Sequence, residues 1–356
     1  MRRVTVALDP PYDVVIGDGA LQHLGRVLAP YRRVATVSQE TILDAQRDAL
    51  VAPDALGPDP WIITMDDGEA AKSIATVEAL CSELARGGLL RADVVVAVGG
   101  GVVGDTAGLA AAVYHRGIAL VQVPTTLLAQ IDSAIGGKTA VNLAEGKNLV
   151  GAFHQPVAVV ADTAVLATLP DTEFRSGLGE VAKYALMPEG AAVVDLLRVQ
   201  TDAVLARNPS VLADLVGECV AIKAAVVAGD PEERSGARAA LNYGHTFAHA
   251  LETTGDYALA HGDAVAIGLV FAVNLAHGLE RVGLDVVDRV HGVVAGLGLP
   301  VQVPGDADRD ELVATMRRDK KAKGGLTFVL PGPHGLEVVD DPPPRALDAA
   351  FAAVGA

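Results

Sequence analysis

Cysteine is scarce: Cys81 and Cys219 are the only two in 356 residues. Two cannot build a disulfide framework, which fits a reduced, cytoplasmic protein. Basic residues are also few, with 28 Lys and Arg against 44 Asp and Glu and a net charge of −16. Non-specific binders of nucleic acid or anionic membrane are basic, so both kinds of partner are disfavoured. No run approaches the ~18 uninterrupted apolar residues that suggest a membrane span. The segment AVAIGLVFAVNLA (264–276) is bracketed by His261, Asp263 and His277 and contains Asn274, a pattern that predicts a buried helix. The opening MRRVTVALDPPYDVV has charge but no sustained apolar stretch, unlike a signal peptide. Repeats and low-complexity tracts are missing too. What remains is an apolar chain, 51% hydrophobic with a mean hydropathy of +0.35, which excludes disorder. Its length suggests about two domains.

Short β-branched runs at 34–37, 61–64, 94–98, 120–123 and 157–160 alternate with helix-compatible stretches such as Ala70–Leu84. Unalternated apolar runs separated by helices predict a parallel sheet covered on both faces. After Pro170 the strand signals thin out and long Ala-, Leu- and Val-rich segments take over, with Asp171 a candidate N-cap. The expectation is an α/β domain over 1–164 and a mainly helical domain over 165–356. LTFVLPGPHGLEVV (326–339) reads as a hairpin turning at Pro331-Gly332-Pro333.

Three groups of residues carry chemistry. GGGVVGDTAG (99–108) follows a strand and opens a helix, and Gly99, Gly101 and Gly104 satisfy G-x-G-x-x-G. Such glycines let backbone approach a pyrophosphate at a helix N-terminus. The strand is not the first, however, and no acidic residue about twenty positions on completes the dinucleotide fingerprint, so a bare strand-to-helix turn is as good a reading. Second, cations sit in glycine-rich or apolar settings: Arg116, Lys138, Lys147, Lys183, Lys223, Arg238, Lys320 and Lys321. Converging on one pocket, they would bind a small polyanion. Asp132 stands where a P-loop needs its first glycine, so triphosphate hydrolysis is disfavoured. Third, LNYGHTFAHALE (241–252) puts His245 and His249 on one helical face, with His261 and Glu180 on other helical segments. Histidines and a carboxylate suit a catalytic divalent ion, while a hydrogen-bonded histidine pair is the plain alternative. Residues 246–248 are Thr, Phe and Ala, which rules out H-E-x-x-H.

Together DGEAAKS, GGGVVGDTAG, YHRG, VPTTLLAQIDSAIGGKTAVN, GKNLVGAFHQP, SGLGEVAKYAL, LNYGHTFAHALE, HGDAVAIGLVFA and MRRDKKAKGGLTFVLP resemble the 3-dehydroquinate synthase family of sugar phosphate cyclases, from about 67 to 330. The resemblance implies a Rossmann-like NAD domain followed by a helical metal domain. It implies a phosphorus–oxygen lyase that turns a seven-carbon 2-keto-3-deoxy acid phosphate into a carbocycle and restores NAD within each turnover. The implied metal ligands are Glu180, His245 and His261, for zinc or cobalt, with His249 a non-ligand that helps proton transfer. Lys138, Asn148 and Lys320 match phosphate contacts, and Arg116 one that crosses between subunits of a homodimer. Lys223 and Arg238 match a carboxylate clamp. Asp132, Lys183 and Asn242 match residues around the ring hydroxyls, and Lys147 lines the site. NAD contacts match Asp67, Gly68, Glu69, Lys72, Gly101, Val102, Val103, Gly104, Asp105, Thr125, Thr126, Leu166, Ala167 and Thr168, with Lys138 and Lys147 beside them. Ala71 stands where an aromatic residue is common, and DPEERSGAR (230–238) is one residue longer than usual.

Alternatives are an aminodehydroquinate synthase or another sugar phosphate cyclase, a metal-dependent NAD polyol dehydrogenase, or an inactive scaffold. Lys183, His154 and the intact IDSAIGGKT segment favour dehydroquinate, and Arg238 disfavours cyclases whose substrates lack a carboxylate.

Overall fold

β-Branched residues concentrate in the strands of the central sheet. The computed structural model describes residues 1–47, 60–255, 259–305, 307–318 and 325–356. The chain forms two compact units, residues 1–170 with 206–232 and residues 171–205 with 233–356. Among the described residues nine strands belong to the first: β1 (Arg2–Val6), β2 (Tyr12–Gly17), β3 (Val34–Ser38), β4 (Trp61–Thr64), β5 (Val94–Gly99), β6 (Ala119–Pro124), β7 (Lys138–Leu143), β8 (Gly146–Phe153) and β9 (Ala158–Asp162). Seven of them make one sheet in the order β1-β2-β9-β6-β5-β3-β4, parallel throughout except for β1 against β2. β7 and β8 pair as a separate antiparallel ribbon.

The lack of alternation in β5 has a direct cause. Val95 and Ala97 enter one buried cluster, while Val94, Val96 and Val98 enter another on the opposite face. A strand buried on both sides is apolar at every position.

The helices are α1 (Leu24–Leu28), α2 (Glu40–Ala45), α3 (Ile74–Arg86), α4 (Gly101–Val113), α5 (Asp171–Leu186), α6 (Ala191–Leu205), α7 (Pro209–Gly229), α8 (His245–Thr254), α9 (His261–Gly278), α10 (Leu284–Gly296), α11 (Arg309–Arg318) and α12 (Pro344–Ala353). α3 starts later than the apolar pattern suggests, because Glu69–Ala71 form a separate 3₁₀ turn. Ser73 caps α3, its Oγ accepting from the Thr76 amide at 3.2 Å. The predicted buried helix at 264–276 lies within α9, whose side chains are apolar and buried nearly all round. Among the described residues no helix is long and apolar enough to cross a membrane.

Three local expectations differ from the structure. A contiguous division at 164/165 is not what forms, because α7 rejoins the first unit. Its N-terminal Pro209 carbonyl accepts from Thr163 Oγ1 at 2.8 Å, and its Glu218 pairs with Arg2 of β1 at 2.7 Å. Asp171 is the first helical residue of α5 and does not precede it as a cap. In the hairpin of β10 (Thr327–Gly332) and β11 (Gly335–Asp340), Pro331 and Gly332 pair with Leu336 and Gly335, so the turn is Pro333-His334.

Candidate active site

Three helices of the second unit bring the predicted metal ligands together. Glu180 sits mid-way along α5, while His245 and His261 open α8 and α9. Glu180 Oε1 lies 3.3 Å from His245 Nε2 and 3.1 Å from His261 Nε2. One ligating atom from each residue falls within 4.8 Å of the others. The other ring nitrogens are occupied: His245 Nδ1 is 3.1 Å from the Tyr243 carbonyl, and His261 Nδ1 is 3.4 Å from Glu252 Oε2. Tying off Nδ1 in this way aims Nε2 at a metal. Two imidazoles and a carboxylate leave coordination positions open, the pattern of a catalytic divalent site, so these residues fit zinc or cobalt. His249 follows His245 by one turn, its ring 5.5 Å away, and is not part of the three-ligand cluster.

Glycines beside the ligands make this convergence possible. A Cβ on Gly179 would overlap the backbone of Gly262, and one on Gly262 would overlap the Ser176 carbonyl. α5 and α9 therefore cross with backbones touching, next to Glu180 and His261. Likewise Gly268 of α9 faces the carbonyl of Gly244, and Gly244 itself has φ +80°, which glycine adopts without strain.

Glu180 and Lys183 are each 1% exposed, with Lys183 Nζ 2.5 Å from Glu180 Oε2. Burial alone would raise the Glu180 carboxyl, but the charge of Lys183 and then His245 outweigh it and hold it well below the usual carboxylate range. Burial pushes His245 down to about 4. Burial opposes protonation of His261 too, yet hydrogen bonds to Glu180 and Glu252 raise it to about 9.

In the first unit the glycine loop lies at the end of β5. β3 continues outward to β4 while β5 continues the opposite way to β6, so this loop sits at the point where the strand order reverses. Open parallel sheets bind ligands at such a point. A Cβ on Gly104 would come within 2.9 Å of Gln122 Oε1, so helix and sheet pack closely there. Among the described residues no side chain caps the start of α4, and its first amides suit a pyrophosphate. The other predicted NAD residues also follow strands: Asp67, Gly68, Glu69 and Lys72 after β4, Thr125 and Thr126 after β6, and Leu166, Ala167 and Thr168 after β9. Lys72, 6% exposed, donates to Asp105 and to Asn148 Oδ1, both at 2.6 Å. Burial raises the Asp105 carboxyl despite Lys72.

Lys138 opens β7, and Lys147 and Asn148 lie in β8. Asp132 sits in a π turn over Ala129–Ser133, and Lys223 of α7 pairs with its carboxylate and donates to its carbonyl at 2.6 Å. Arg116 is exposed in an αL conformation at φ +66°. Arg238, nearly fully buried, and Asn242 share a 3₁₀ segment of the second unit, and Asn242 Nδ2 donates to the Ala239 carbonyl at 3.3 Å. Lys320 and Lys321 lie outside the described residues. Sequence reasoning misses Tyr243, Glu252 and Asn142. The last bridges Glu69 Oε1 at 2.7 Å and the Asn148 amide at 2.9 Å. Only the i, i+7 spacing of His245 and Glu252 on one helical face could have signalled any of them.

Residues 62–176 match a family described as 3-dehydroquinate synthase N-terminal, and residues 177–322 its C-terminal counterpart. The chain is 47% identical over 332 residues to a putative aminodehydroquinate synthase from Amycolatopsis mediterranei, covering 93% of this chain and 88% of the relative. It is 46% identical over 355 residues to a 3-dehydroquinate synthase from Nitrobacter hamburgensis, covering 94% and 91%. Its fold is similar to 2-epi-5-epi-valiolone synthase from Streptomyces hygroscopicus subsp. jinggangensis 5008 with NAD+ and Zn2+ bound, with a TM-score of 0.85, 30% identity and coverage of 97% and 96%.

Proposed function

Because the chain belongs to the 3-dehydroquinate synthase family, we propose that it converts 3-deoxy-D-arabino-heptulosonate 7-phosphate into 3-dehydroquinate with release of phosphate, a step of aromatic amino acid biosynthesis in the cytoplasm. The observation that carries this reading is the convergence of Glu180, His245 and His261 in a chain matched across residues 62–322. NAD, when bound, supplies a reversible hydride acceptor, and a divalent ion, zinc or cobalt, supplies a Lewis acid.

The chain's own part is to hold and orient. Gly101 to Asp105 and Thr125–Thr126 cradle the dinucleotide, with the 67–72 turn and residues 166–168 beside it. Lys138, Asn148 and Lys320 bind the substrate phosphate, with Lys147 lining the site. Lys223 and Arg238 hold the carboxylate, a task for which Lys223 must exchange part of its contact with Asp132. Asp132, Lys183 and Asn242 meet the ring hydroxyls. Clamping both anionic ends fixes the substrate, and orientation of this kind supplies a large share of catalytic rate. Arg116, exposed on its 3₁₀ turn, reaches the site of a second copy in a homodimer. The exposed Leu149 and Phe153 of β8 offer that copy apolar surface.

Incubation with NAD, zinc and the heptulosonate phosphate tests the reading. Phosphate should be released without accumulation of NADH. Net NADH formation would instead indicate a polyol dehydrogenase. The 47% identity to a putative aminodehydroquinate synthase favours one second reading, in which a nitrogen replaces a ring oxygen of the substrate. Higher kcat/KM on the amino substrate would establish it.

His249 lies outside the ligand trio, which leaves it available for the proton transfer that the family resemblance implies. His249→Ala should leave metal content at one ion per chain and lower kcat by about 10²–10⁴-fold, the usual share of a general acid or base. Loss of zinc, measured by plasma emission, would refute the assignment.

A further inference from the structure

Glu252 is 8% exposed and lies in the last turn of α8, where a negative charge opposes the helix dipole. A buried carboxylate in such a place needs a compensating interaction. Its position supplies one. His245, His249 and Glu252 recur at i, i+4 and i+7, so one face of α8 presents all three. Glu252 Oε2 meets His261 Nδ1 at 3.4 Å, on the side of the ring away from Glu180, which faces Nε2 at 3.1 Å. The same helix that delivers His245 therefore also grips the ring of His261, the first residue of α9. The Tyr243 carbonyl does the equivalent for His245, but a backbone carbonyl is neutral, whereas Glu252 carries charge.

We propose that Glu252 is a positioning residue that sets the ring orientation, the tautomer and the donor strength of His261 toward the metal. This rests on the metal-site reading above. An anionic acceptor on Nδ1–H keeps Nε2 free as a donor and raises its basicity, and loss of such a partner typically lowers metal affinity about 10–100-fold. Gln can still accept the Nδ1–H through its carbonyl oxygen but lacks the charge, whereas Ala removes both effects. The variants are thereby graded.

The test compares wild type, Glu252→Gln and Glu252→Ala in zinc competition against a chromophoric chelator and in the visible spectrum of the cobalt-loaded proteins. Circular dichroism of the metal-free forms checks folding. The expected result is a ~10-fold loss of affinity for Glu252→Gln and up to ~100-fold for Glu252→Ala, with shifted cobalt bands in both. Unchanged affinity and unchanged bands in folded Glu252→Gln, beside a wild type that binds one ion, would overturn the proposal and leave the metal site standing. A wild type that binds no ion would overturn the metal site and this proposal with it. If Glu252→Ala fails to fold, the isosteric Glu252→Gln decides alone.

Discussion

Gly262→Ala is expected to remove most of the metal affinity and nearly all activity, although it adds a single methyl group to a residue that touches no substrate. The new Cβ would overlap the Ser176 carbonyl, and neighbouring backbone of α5 stands just behind it. A methyl against backbone cannot escape by changing rotamer, so the helices must separate. Overpacking of this kind costs about 1–3 kcal/mol. The catalytic consequence is larger than the stability loss, because Gly262 adjoins His261, and its contact lies four residues from Glu180. Separation of α5 from α9 lengthens the gap between those two ligands, and a misplacement of about 1 Å can cost ~10²-fold in rate. Gly292→Ala is the control. Inside α10 of the same unit, a Cβ on Gly292 would meet nothing within 4 Å among the described residues. It should stabilise the protein by roughly 0.5–1 kcal/mol, with metal affinity unchanged. Denaturant titration and zinc competition on both variants check the pair. Equal zinc affinity in the two would mean that the α5–α9 crossing does not set the ligand geometry.

This dependence on glycine shows what a one-dimensional reading can and cannot reach. The run at 94–98 is legible because burial on both faces forces every residue of β5 to be apolar, whereas the edge strand β4, only partly buried, is legible through its β-branched residues alone. The fate of α7 is not legible. Its pattern says that most of the helix is buried, but not against what, and Arg2, two hundred residues away, supplies part of the answer. The N-terminal β1–β2 pair and the β7–β8 ribbon go unread as well. β7 and β8 carry the very lysines that stand out in the sequence, and those lysines draw attention to charge at the expense of strand pairing.

At the candidate site, residue types are legible and their meeting is not. His245 and His249 announce a shared helical face through their spacing. Glu180, sixty-five positions before His245, shares with them only a suitable chemistry and a helical setting until the fold brings it within 3.3 Å. The orienting contacts are still harder to read. Tyr243 acts through its carbonyl, which every residue has, and Glu252 looks in sequence like any charge near a helix end. The unusual place of the glycine loop also becomes intelligible only from strand order. β5 is late in the chain yet stands where the sheet reverses direction, so the fifth strand does the work expected of a first.

Lys183→Met should produce the second large effect, and its size should depend on metal and on pH. Glu180 and Lys183 are both buried to 1% exposure, with their charges 2.5 Å apart. Removing one member of a buried pair costs about 3–5 kcal/mol when the other is left uncompensated, and the His261 contact to Glu180 at 3.1 Å offsets part of that loss. Methionine keeps most of the volume, so the loss reports charge more than packing. The pH dependence follows from the direction of the Glu180 shift. Its carboxyl is held well below the usual range in the folded protein, with Lys183 the strongest lowering influence. Such a group contributes stability above the unfolded carboxylate pKa of ~4.3, and loses it as pH falls through the lower folded value. The gap between wild type and variant should therefore be widest near neutral pH and narrow on acidification. A divalent ion at the trio restores a positive neighbour to Glu180, so zinc should raise the melting temperature of Lys183→Met by more than it raises that of wild type. Turnover should stay low in the zinc-loaded variant if Lys183 meets the substrate hydroxyls as proposed above, because the ion replaces the charge beside Glu180 but not that hydrogen-bond donor. Thermal melts with zinc and with chelator, at neutral pH and at a pH below the unfolded carboxylate value of ~4.3, separate the two roles. A metal-free variant as stable as wild type at neutral pH would show that Lys183 is not what keeps Glu180 ionised.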